Sequence, residues 1–127
     1  MDVLIRYGFS IEEIKNMMDT NDSIESIPDK EILEFLNILT DIGCHEEHIM
    51  NILSCNPFSI SRNNFEIKKL FNKLNEIGIK DICSLIDSNP YILNLNDIDI
   101  DVICNKLISD GLSENELANY FYNNIVL

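Results

Sequence analysis

The sequence has no tryptophan, and it has only four glycines and three prolines among 127 residues. Because all-β domains need frequent glycine- and proline-rich turns, this scarcity argues against a sandwich or barrel and favours helices. No apolar run approaches the roughly 18 residues that cross a bilayer. The N-terminal residues also lack the basic start, apolar core and small-residue cleavage site of a signal peptide. We therefore expect a soluble, cytoplasmic protein with no membrane partner.

Cysteine pairs of the CxxC type are absent, although four cysteines are present. The spacing of Cys44, Cys55, Cys83 and Cys104 fits no zinc template. In a reducing compartment such residues are small buried hydrophobic groups with free thiols. We therefore predict four free cysteines in place of a metal or redox site, and no cofactor.

Positive charge is scarce as well: nine bases stand against 22 acids, which gives a net charge of −13. A protein this acidic repels a polyphosphate backbone unless its few bases are concentrated on one surface. The composition therefore favours a partner protein with a basic surface over nucleic acid. One variant of this interpretation is an inhibitor that mimics the charge of nucleic acid.

The sequence contains an internal repeat of about 35 residues, and each of the four glycines lies in one copy of it. The glycines are spaced 35, 35 and 33 residues apart. Each has a leucine four residues before it and an asparagine 13 or 11 residues after it. The matched sets are Gly8, Gly43, Gly78 and Gly111; Leu4, Leu39, Leu74 and Leu107; and Asn21, Asn56, Asn89 and Asn124.

The repeated residues can be explained by the structure of a helix and its C-terminal end. Before the last three glycines, apolar residues stand at −11, −8, −7 and −4, as in Ile32, Phe35, Leu36 and Leu39. This spacing draws a stripe along one side of a helix. The glycine then ends that helix, because it accepts the left-handed backbone of a C-terminal cap.

A second, shorter helix is predicted to begin two residues after each glycine. Ser10 with Glu13 has the spacing of a capping box. The asparagine ends this helix, and Pro57 or Pro90 prevents its continuation. The apolar residues that follow, such as Phe58, are expected to form a short 3₁₀ turn.

These patterns predict an all-α fold, a short helical-repeat solenoid of two-helix units that each end in a 3₁₀ turn. We expect one domain over residues 1–127, with repeats at about 1–28, 29–61, 62–95 and 96–127.

The repeats resemble those of the mitochondrial transcription termination factor (mTERF) family. The likeness lies in LTDIGCHEEHIMNILSCNPFSIS and LNEIGIKDICSLIDSNPYILNL, where a helix ending in L-x-x-I-G precedes a short helix, a proline and an apolar residue. Members of that family form a curved superhelix whose concave, basic face holds double-stranded nucleic acid. The resemblance implies the same fold and a reduced nucleic-acid-binding protein, which is the alternative to the basic-protein partner.

A small basic patch is the candidate contact for an anion or nucleic acid. Within residues 62–80 the bases outnumber the acids by five to two. The residues assigned to the patch are Arg62, Lys68, Lys69 and Lys73. The competing interpretation, which the acidic surroundings favour, is a solvated helix face paired with neighbouring acids.

Two further segments are chemically suggestive. His45 and His48 could share a metal, but their spacing is three residues where HExxH needs four, and they align with the capping pair Ser10 and Glu13. A second segment, with Asp97, Asp99 and Asp101, begins like a calcium loop, yet no glycine follows at the sixth position and no glutamate at the twelfth. We predict no metal site from either segment.

The chain also carries an apolar C-terminal cluster where the predicted array stops. Phe121, Tyr122, Ile125, Val126 and Leu127 could serve as a cap, a homodimer contact or a partner surface. No phosphate loop, nucleophile elbow or catalytic triad is present, and no catalytic residue is assigned. We therefore predict a non-enzymatic binding module or adaptor.

Overall fold

The computed structural model describes residues 2–123, and within them it contains only helices and turns. The eight α-helices are α1 (Asp2–Tyr7), α2 (Ile11–Thr20), α3 (Asp29–Asp41), α4 (Glu46–Cys55), α5 (Asn64–Glu76), α6 (Ile82–Ser88), α7 (Asp97–Ser109) and α8 (Glu114–Asn123). Three 3₁₀ turns follow α2, α4 and α6, at Asp22–Ser26, Pro57–Ser61 and Pro90–Asn94. The predicted all-α repeat fold is confirmed.

The repeated elements stack in register. We call α1, α3, α5 and α7 the long-helix layer, in which each helix contacts the next. We call α2, α4, α6 and α8 the short-helix layer; α2 contacts α4, α4 contacts α6, and α8 packs against α7. The three 3₁₀ turns also contact one another in order. Each unit therefore buries its apolar stripe mainly against its neighbours, as expected for a solenoid.

The glycines end the long helices in a geometry that also explains the leucines. Gly43 has a φ of 99°, in the left-handed region that disfavours side chains. Its N–H donates to the Thr40 carbonyl oxygen at 3.0 Å, and the Cys44 N–H donates to the Leu39 carbonyl oxygen at 3.1 Å. This pair of bonds is a Schellman motif, in which the residues at the two ends also touch. Leu39 and Cys44 are both buried, so the leucine and the residue after glycine close the cap together.

The starts of the helices follow the capping signals in the sequence. Ser10 and Glu13 form the predicted box, with the Glu13 N–H donating to Ser10 Oγ at 3.0 Å and the Ser10 N–H to Glu13 Oε1 at 2.9 Å. Asn96 and Asp99 form a second reciprocal box at α7. At α5 the Asn63 side chain accepts two backbone N–H bonds. Local sequence therefore places these helix starts.

A buried asparagine links each of the first two short helices, α2 and α4, to the 3₁₀ turn of the following unit. Asn21 Nδ2 donates to the Pro57 carbonyl oxygen at 3.1 Å and to Ser61 Oγ at 2.7 Å. Asn21 is only 5 % exposed, and its bond to the Pro57 carbonyl oxygen lies away from water. Because such bonds are costly to leave unmade in a protein interior, the side chain fixes the register of the two units.

The same link recurs one unit later. Asn56 Nδ2 donates to the Pro90 carbonyl oxygen at 3.0 Å and to Asn94 Oδ1 at 3.1 Å. Asn56 is fully buried. In both links the acceptors are the first carbonyl of the turn and the side chain four residues later. We call this series the asparagine ladder.

The cysteines differ from the prediction of four free thiols. Cys44 and Cys83 are joined in a disulfide whose Cα atoms lie 5.4 Å apart, and both residues are buried. Their separation of 39 residues hid the pair, because only the stacking of adjacent units brings the starts of α4 and α6 together. Cys55 and Cys104 are free, as predicted.

Candidate interaction surfaces

Arg62, which the sequence assigned to the basic patch, is a structural residue. Its Nη1 donates to the carbonyl oxygens of Leu93 at 2.6 Å and Leu95 at 2.5 Å. These carbonyls lie where the 3₁₀ turn Pro90–Asn94 ends, and Arg62 itself directly follows the preceding turn, Pro57–Ser61. Charge-assisted bonds of this length hold the guanidinium in place. Arg62 therefore joins the ends of two successive 3₁₀ turns and does not contribute to an open anion site.

Lys68 and Lys69 lie on α5 and have carboxylates beside them. Lys68 Nζ is 3.8 Å from Glu34 Oε1 on α3, and both side chains are about half exposed. Lys69 Nζ is 3.8 Å from Glu66 Oε1 and 5.5 Å from the centre of the Phe65 ring. Exposed pairs at this distance are weak. They nevertheless reduce the positive potential that the patch presents.

Lys73 is held more firmly than its neighbours. Its Nζ is 3.0 Å from Asp101 Oδ1 on α7 and 3.2 Å from Glu76 Oε2. Hydrogen bonds to Asp101 first, and then to Glu76, raise the pKa of the Lys73 ammonium. Lys68 and Lys73 therefore bridge α5 to the helices on either side. The structure agrees with the interpretation of a helix face paired with neighbouring acids.

His45 and His48 lie at the start of α4 and do not face a cleft together with other metal ligands. The His45 N–H donates to His48 Nδ1 at 3.0 Å, which is the contact of a capping residue with the first turn. Across residues 2–123 no group of three or more histidine, cysteine, aspartate or glutamate side chains could hold a metal ion.

The aspartates that begin like a calcium loop have other roles. Asp99 Oδ2 accepts the N–H of Asn96 in the α7 cap, and Asp101 pairs with Lys73. A calcium loop needs its carboxylates to converge on one point. Here they are divided between a helix cap and a bridge to α5.

The acids are unevenly divided between the two helical layers. The short-helix layer carries eight acids and one base: Glu12, Glu13, Asp19, Glu46, Glu47, Asp87, Glu114 and Glu116, with Lys15. Six of the eight acids stand in first helical turns, where a carboxylate complements the helix dipole. Because the short helices of the first three units stack, the acids of successive units share this side of the protein.

The long-helix layer has a different surface. It carries six of the nine bases, at Arg6, Lys30, Lys68, Lys69, Lys73 and Lys106, beside ten acids. It also carries six of the ten exposed large hydrophobic side chains of the described residues: Ile5, Leu33, Phe65, Ile98, Val102 and Ile108. None of these six residues is among the interaction residues predicted from the sequence. The sequence of α7, DIDIDVICNKLIS, could have indicated them, because it has more apolar residues than one buried stripe requires.

The predicted C-terminal surface is divided by the structure. Phe121 is 2 % exposed and belongs to the core, so its expected place on an open surface was wrong. Tyr122 is 41 % exposed, and its hydroxyl oxygen accepts the Asp81 N–H at 3.1 Å. Tyr122 therefore ties α8 to the start of α6. Ile125, Val126 and Leu127 lie outside the described residues.

Comparison with known proteins agrees with the architecture. Among the described residues no helix is long and apolar enough to cross a membrane. Neither curated proteins nor solved structures gave a match to the chain. The mTERF family model, by contrast, matches residues 1–123, which is nearly the whole sequence. The chain, with its four glycine-capped units, therefore belongs to the mTERF family.

Proposed function

We propose that this protein is a non-enzymatic scaffold that binds a partner protein with a basic surface through its short-helix layer. The observation that carries the proposal is the excess of eight acids over one base in that layer. Complementary charge steers association and selects partners. The lysines of the long-helix layer support the same conclusion, since three of them already have carboxylate partners within the protein.

A charge-neutralisation experiment tests which layer binds. The wild-type protein is used to capture partners from its native lysate at low salt, and the captured proteins are identified by mass spectrometry. A short-helix variant then replaces four exposed acids that take no part in a capping box: Glu12→Gln, Asp19→Asn, Glu47→Gln and Glu114→Gln. We expect this variant to lose the basic partner.

The matched control removes the same charge from the long-helix layer. It replaces four acids of that layer that also lie outside the capping boxes: Asp2→Asn, Glu31→Gln, Asp41→Asn and Asp97→Asn. We expect the control to retain the partner, and we expect added salt to release the partner from the wild type. Equal loss in both variants, or capture that is indifferent to salt, would contradict the proposal.

Nucleic-acid binding through the long-helix layer is the second candidate, and membership of the mTERF family favours it. The face would use Lys68, Lys69 and Lys73 after exchange of their carboxylate partners for phosphates. Such exchange is feasible at the exposed pairs, because their energies are small. The net charge of −13 opposes it.

A gel-shift titration at low salt separates the two candidates. Mixed-sequence duplexes and single strands are titrated with the wild type and with a triple Lys→Gln variant at positions 68, 69 and 73. Non-specific DNA binding falls at about 1–100 µM at physiological salt. A shift in that range that the variant loses would favour nucleic acid, and its absence would leave the basic protein as the partner.

A further inference from the structure

A cavity of about 450 Å³ lies between the third and fourth units, where α5 and α7 end and α8 begins. Its volume falls within the roughly 300–1,000 Å³ of small-molecule sites. None of the described residues that line it is a base. Four apolar side chains and two carboxylates contribute to the lining: Ile77, Cys104, Ile108, Leu117, Glu76 and Glu114.

The chain itself fills the same space between the first and second units, with the side chain of Tyr7. The Tyr7 ring is partly buried and packs against the core. Burial first, and then the nearby carboxylate of Glu46, raise the pKa of Tyr7, while a hydrogen bond with the Thr40 side chain opposes the rise. The phenol therefore lies beside Thr40 and Glu46, which belong to the second unit.

The positions that hold this phenol recur around the cavity with smaller or apolar side chains. Ile77 stands one residue before its glycine, as Tyr7 does. Ile108 and Glu114 stand three residues before and three residues after their glycine, as do the two groups that flank the phenol. All three residues line the cavity. The cavity is therefore the place that the Tyr7 ring occupies in the first pair of units.

A second position enlarges the space. Seven residues before their glycines, α3 has Leu36 and α5 has Phe71, whereas α7 has Cys104. Leu36 and Phe71 are both buried, and Phe71 lies beside Ile42 between α3 and α5. A small side chain at a packed position leaves a cavity where its neighbours do not close in. The first two interfaces thus each hold an aromatic ring, Tyr7 or Phe71, and the third has neither.

The charges beside the cavity indicate the polar group of a ligand. Glu76 Oε2 is 3.2 Å from Lys73 Nζ, so this carboxylate already has a positive partner. Glu114 is exposed, and its carboxylate has no hydrogen bond or ion pair among the described residues. A carboxylate without a neighbouring base favours a positive group over a negative one.

We propose that this cavity binds an aromatic ring that carries an ammonium group. The ring lies against Ile77, Cys104 and Ile108, in the place of the Tyr7 phenol, and the ammonium lies beside Glu114. The site uses the small size of Cys104 and no reaction of its thiol. The inference is independent of the basic partner: Cys104→Leu keeps every charge of the short-helix layer, so that variant should still capture the partner.

Two sources supply this chemistry, a free arylalkylamine and an aromatic side chain next to a lysine in a peptide. Tyramine is the probe for the first source. The blocked peptide acetyl-Lys-Tyr-Lys-amide is the probe for the second. Tighter binding of tyramine would assign the site to a free amine, and tighter binding of the peptide would assign it to a side chain.

An NMR titration of the isotope-labelled full chain tests the site. We expect tyramine to cause saturable shifts of the backbone amides of Gly78, Ile108 and Leu117, with a Kd on the order of 1 mM for a ligand of this size. Two control ligands each lack one group. Pentylamine has no ring, and 3-(4-hydroxyphenyl)propionate carries the opposite charge. Each should bind at least about ten times more weakly than tyramine.

Two variants fill the cavity with side chains that this chain already uses at the same positions. Cys104→Leu introduces the side chain of Leu36, and Ile77→Tyr introduces that of Tyr7. Each should weaken tyramine binding at least about tenfold without lowering the unfolding midpoint, because a filled cavity gains packing contacts. Two independent fillings keep the test decisive where one of them disturbs the fold.

A matched pair of variants tests the charge. Glu114→Gln should weaken the binding of tyramine severalfold. Glu46→Gln removes the same charge at the equivalent position of the second unit, where Tyr7 already fills the space, and should bind tyramine like the wild type.

Three results would overturn the inference. The first is the absence of saturable shifts with either probe. The second is a folded cavity-filling variant that binds tyramine as tightly as the wild type. The third is equal binding of tyramine and of the propionate, which would show that Glu114 selects no charge.

Discussion

The two helical layers come from the same repeats but present different surfaces. The long-helix layer mixes six bases, ten acids and six exposed hydrophobic side chains, and two of its lysines, Lys68 and Lys73, bridge neighbouring helices. The short-helix layer is acidic and has few exposed hydrophobic side chains, Ile11 and Tyr122. Lys68 and Lys73 of the first layer therefore serve contacts between units, whereas most acids of the second layer are exposed in first helical turns.

A local cluster of bases in the sequence does not by itself make a binding site. Residues 62–80 have a charge of +3 when read alone, from five bases and two acids. In the stacked array, α3 and α7 lie on either side of α5. Glu34 of α3 pairs with Lys68, and Asp101 of α7 pairs with Lys73. The neighbouring units thus neutralise positive charge that the third unit alone would present to solvent.

The largest expected effect concerns the Cys44–Cys83 disulfide, which joins the second and third units at the starts of their short helices, α4 and α6. Reduction of Cys44–Cys83 should lower the free energy of unfolding by about 4 kcal/mol, the chain-entropy value for a loop of this length. Urea unfolding with and without reductant measures the change. Cys55→Ser is the control, because that exposed thiol is free. An unfolding midpoint indifferent to reductant would show that the layer is held by packing alone.

The next effect separates Arg62 from the lysines with which the sequence grouped it. Arg62→Met removes two charge-assisted bonds to turn carbonyls and should cost about 1.5–3 kcal/mol of stability. Lys68→Met removes one exposed ion pair and should cost less than about 1 kcal/mol. Chemical denaturation of both variants measures the difference. Equal losses would mean that Arg62 is no more structural than its neighbours.

A smaller effect is expected at alkaline pH in the long-helix layer. The bonds to Asp101 and Glu76 raise the pKa of Lys73, so the folded state holds this proton more tightly than the unfolded chain. The stabilisation is complete below the ordinary lysine pKa of about 10.4 and is lost as the pH rises through the folded value. The difference in the free energy of unfolding between wild type and Lys73→Met should therefore be constant around neutral pH. It should shrink once the pH rises above the ordinary lysine pKa. Asp101→Asn removes the first of the two bonds to Lys73 and should reduce this change, and an unaltered pH dependence in that variant would contradict the prediction.

The smallest effect is expected at acid pH in the short-helix layer. The Ser10 N–H, and then the Ser10 hydroxyl, lower the pKa of Glu13 in the α2 capping box. The cap contributes stability above the ordinary glutamate pKa of about 4.3, and that contribution is lost as the pH falls through the folded value. Glu13→Gln should reduce the loss of stability on acidification. Glu12→Gln removes a charge from the same turn but leaves the box intact, and an equal response there would contradict the prediction.

Much of the fold was predictable because its signals are local. A glycine with leucine four residues earlier specifies a Schellman cap, and both act within one turn of helix. Ser10 with Glu13, and Asn96 with Asp99, act within three residues. The histidine pair was explained in the same way, by its alignment with these caps.

The surfaces were less predictable, because the groups that decide them lie in different units. Phe121 was expected on an open end, but neighbouring residues bury it. Cys44 and Cys83 are 39 residues apart, and nothing local links them. The exposed apolar residues of α7 were hidden among those that build its buried stripe.

The units follow from local patterns in the sequence, which specify where each helix starts and ends and which side it buries. Those properties depend on backbone conformation, capping and periodicity, which act over a few residues. Which side chains meet across units depends on stacking instead, and so do the charges that are neutralised and the thiols that are joined. Stacking brings together residues about 35 positions apart, and only that proximity decides which surfaces remain available for binding.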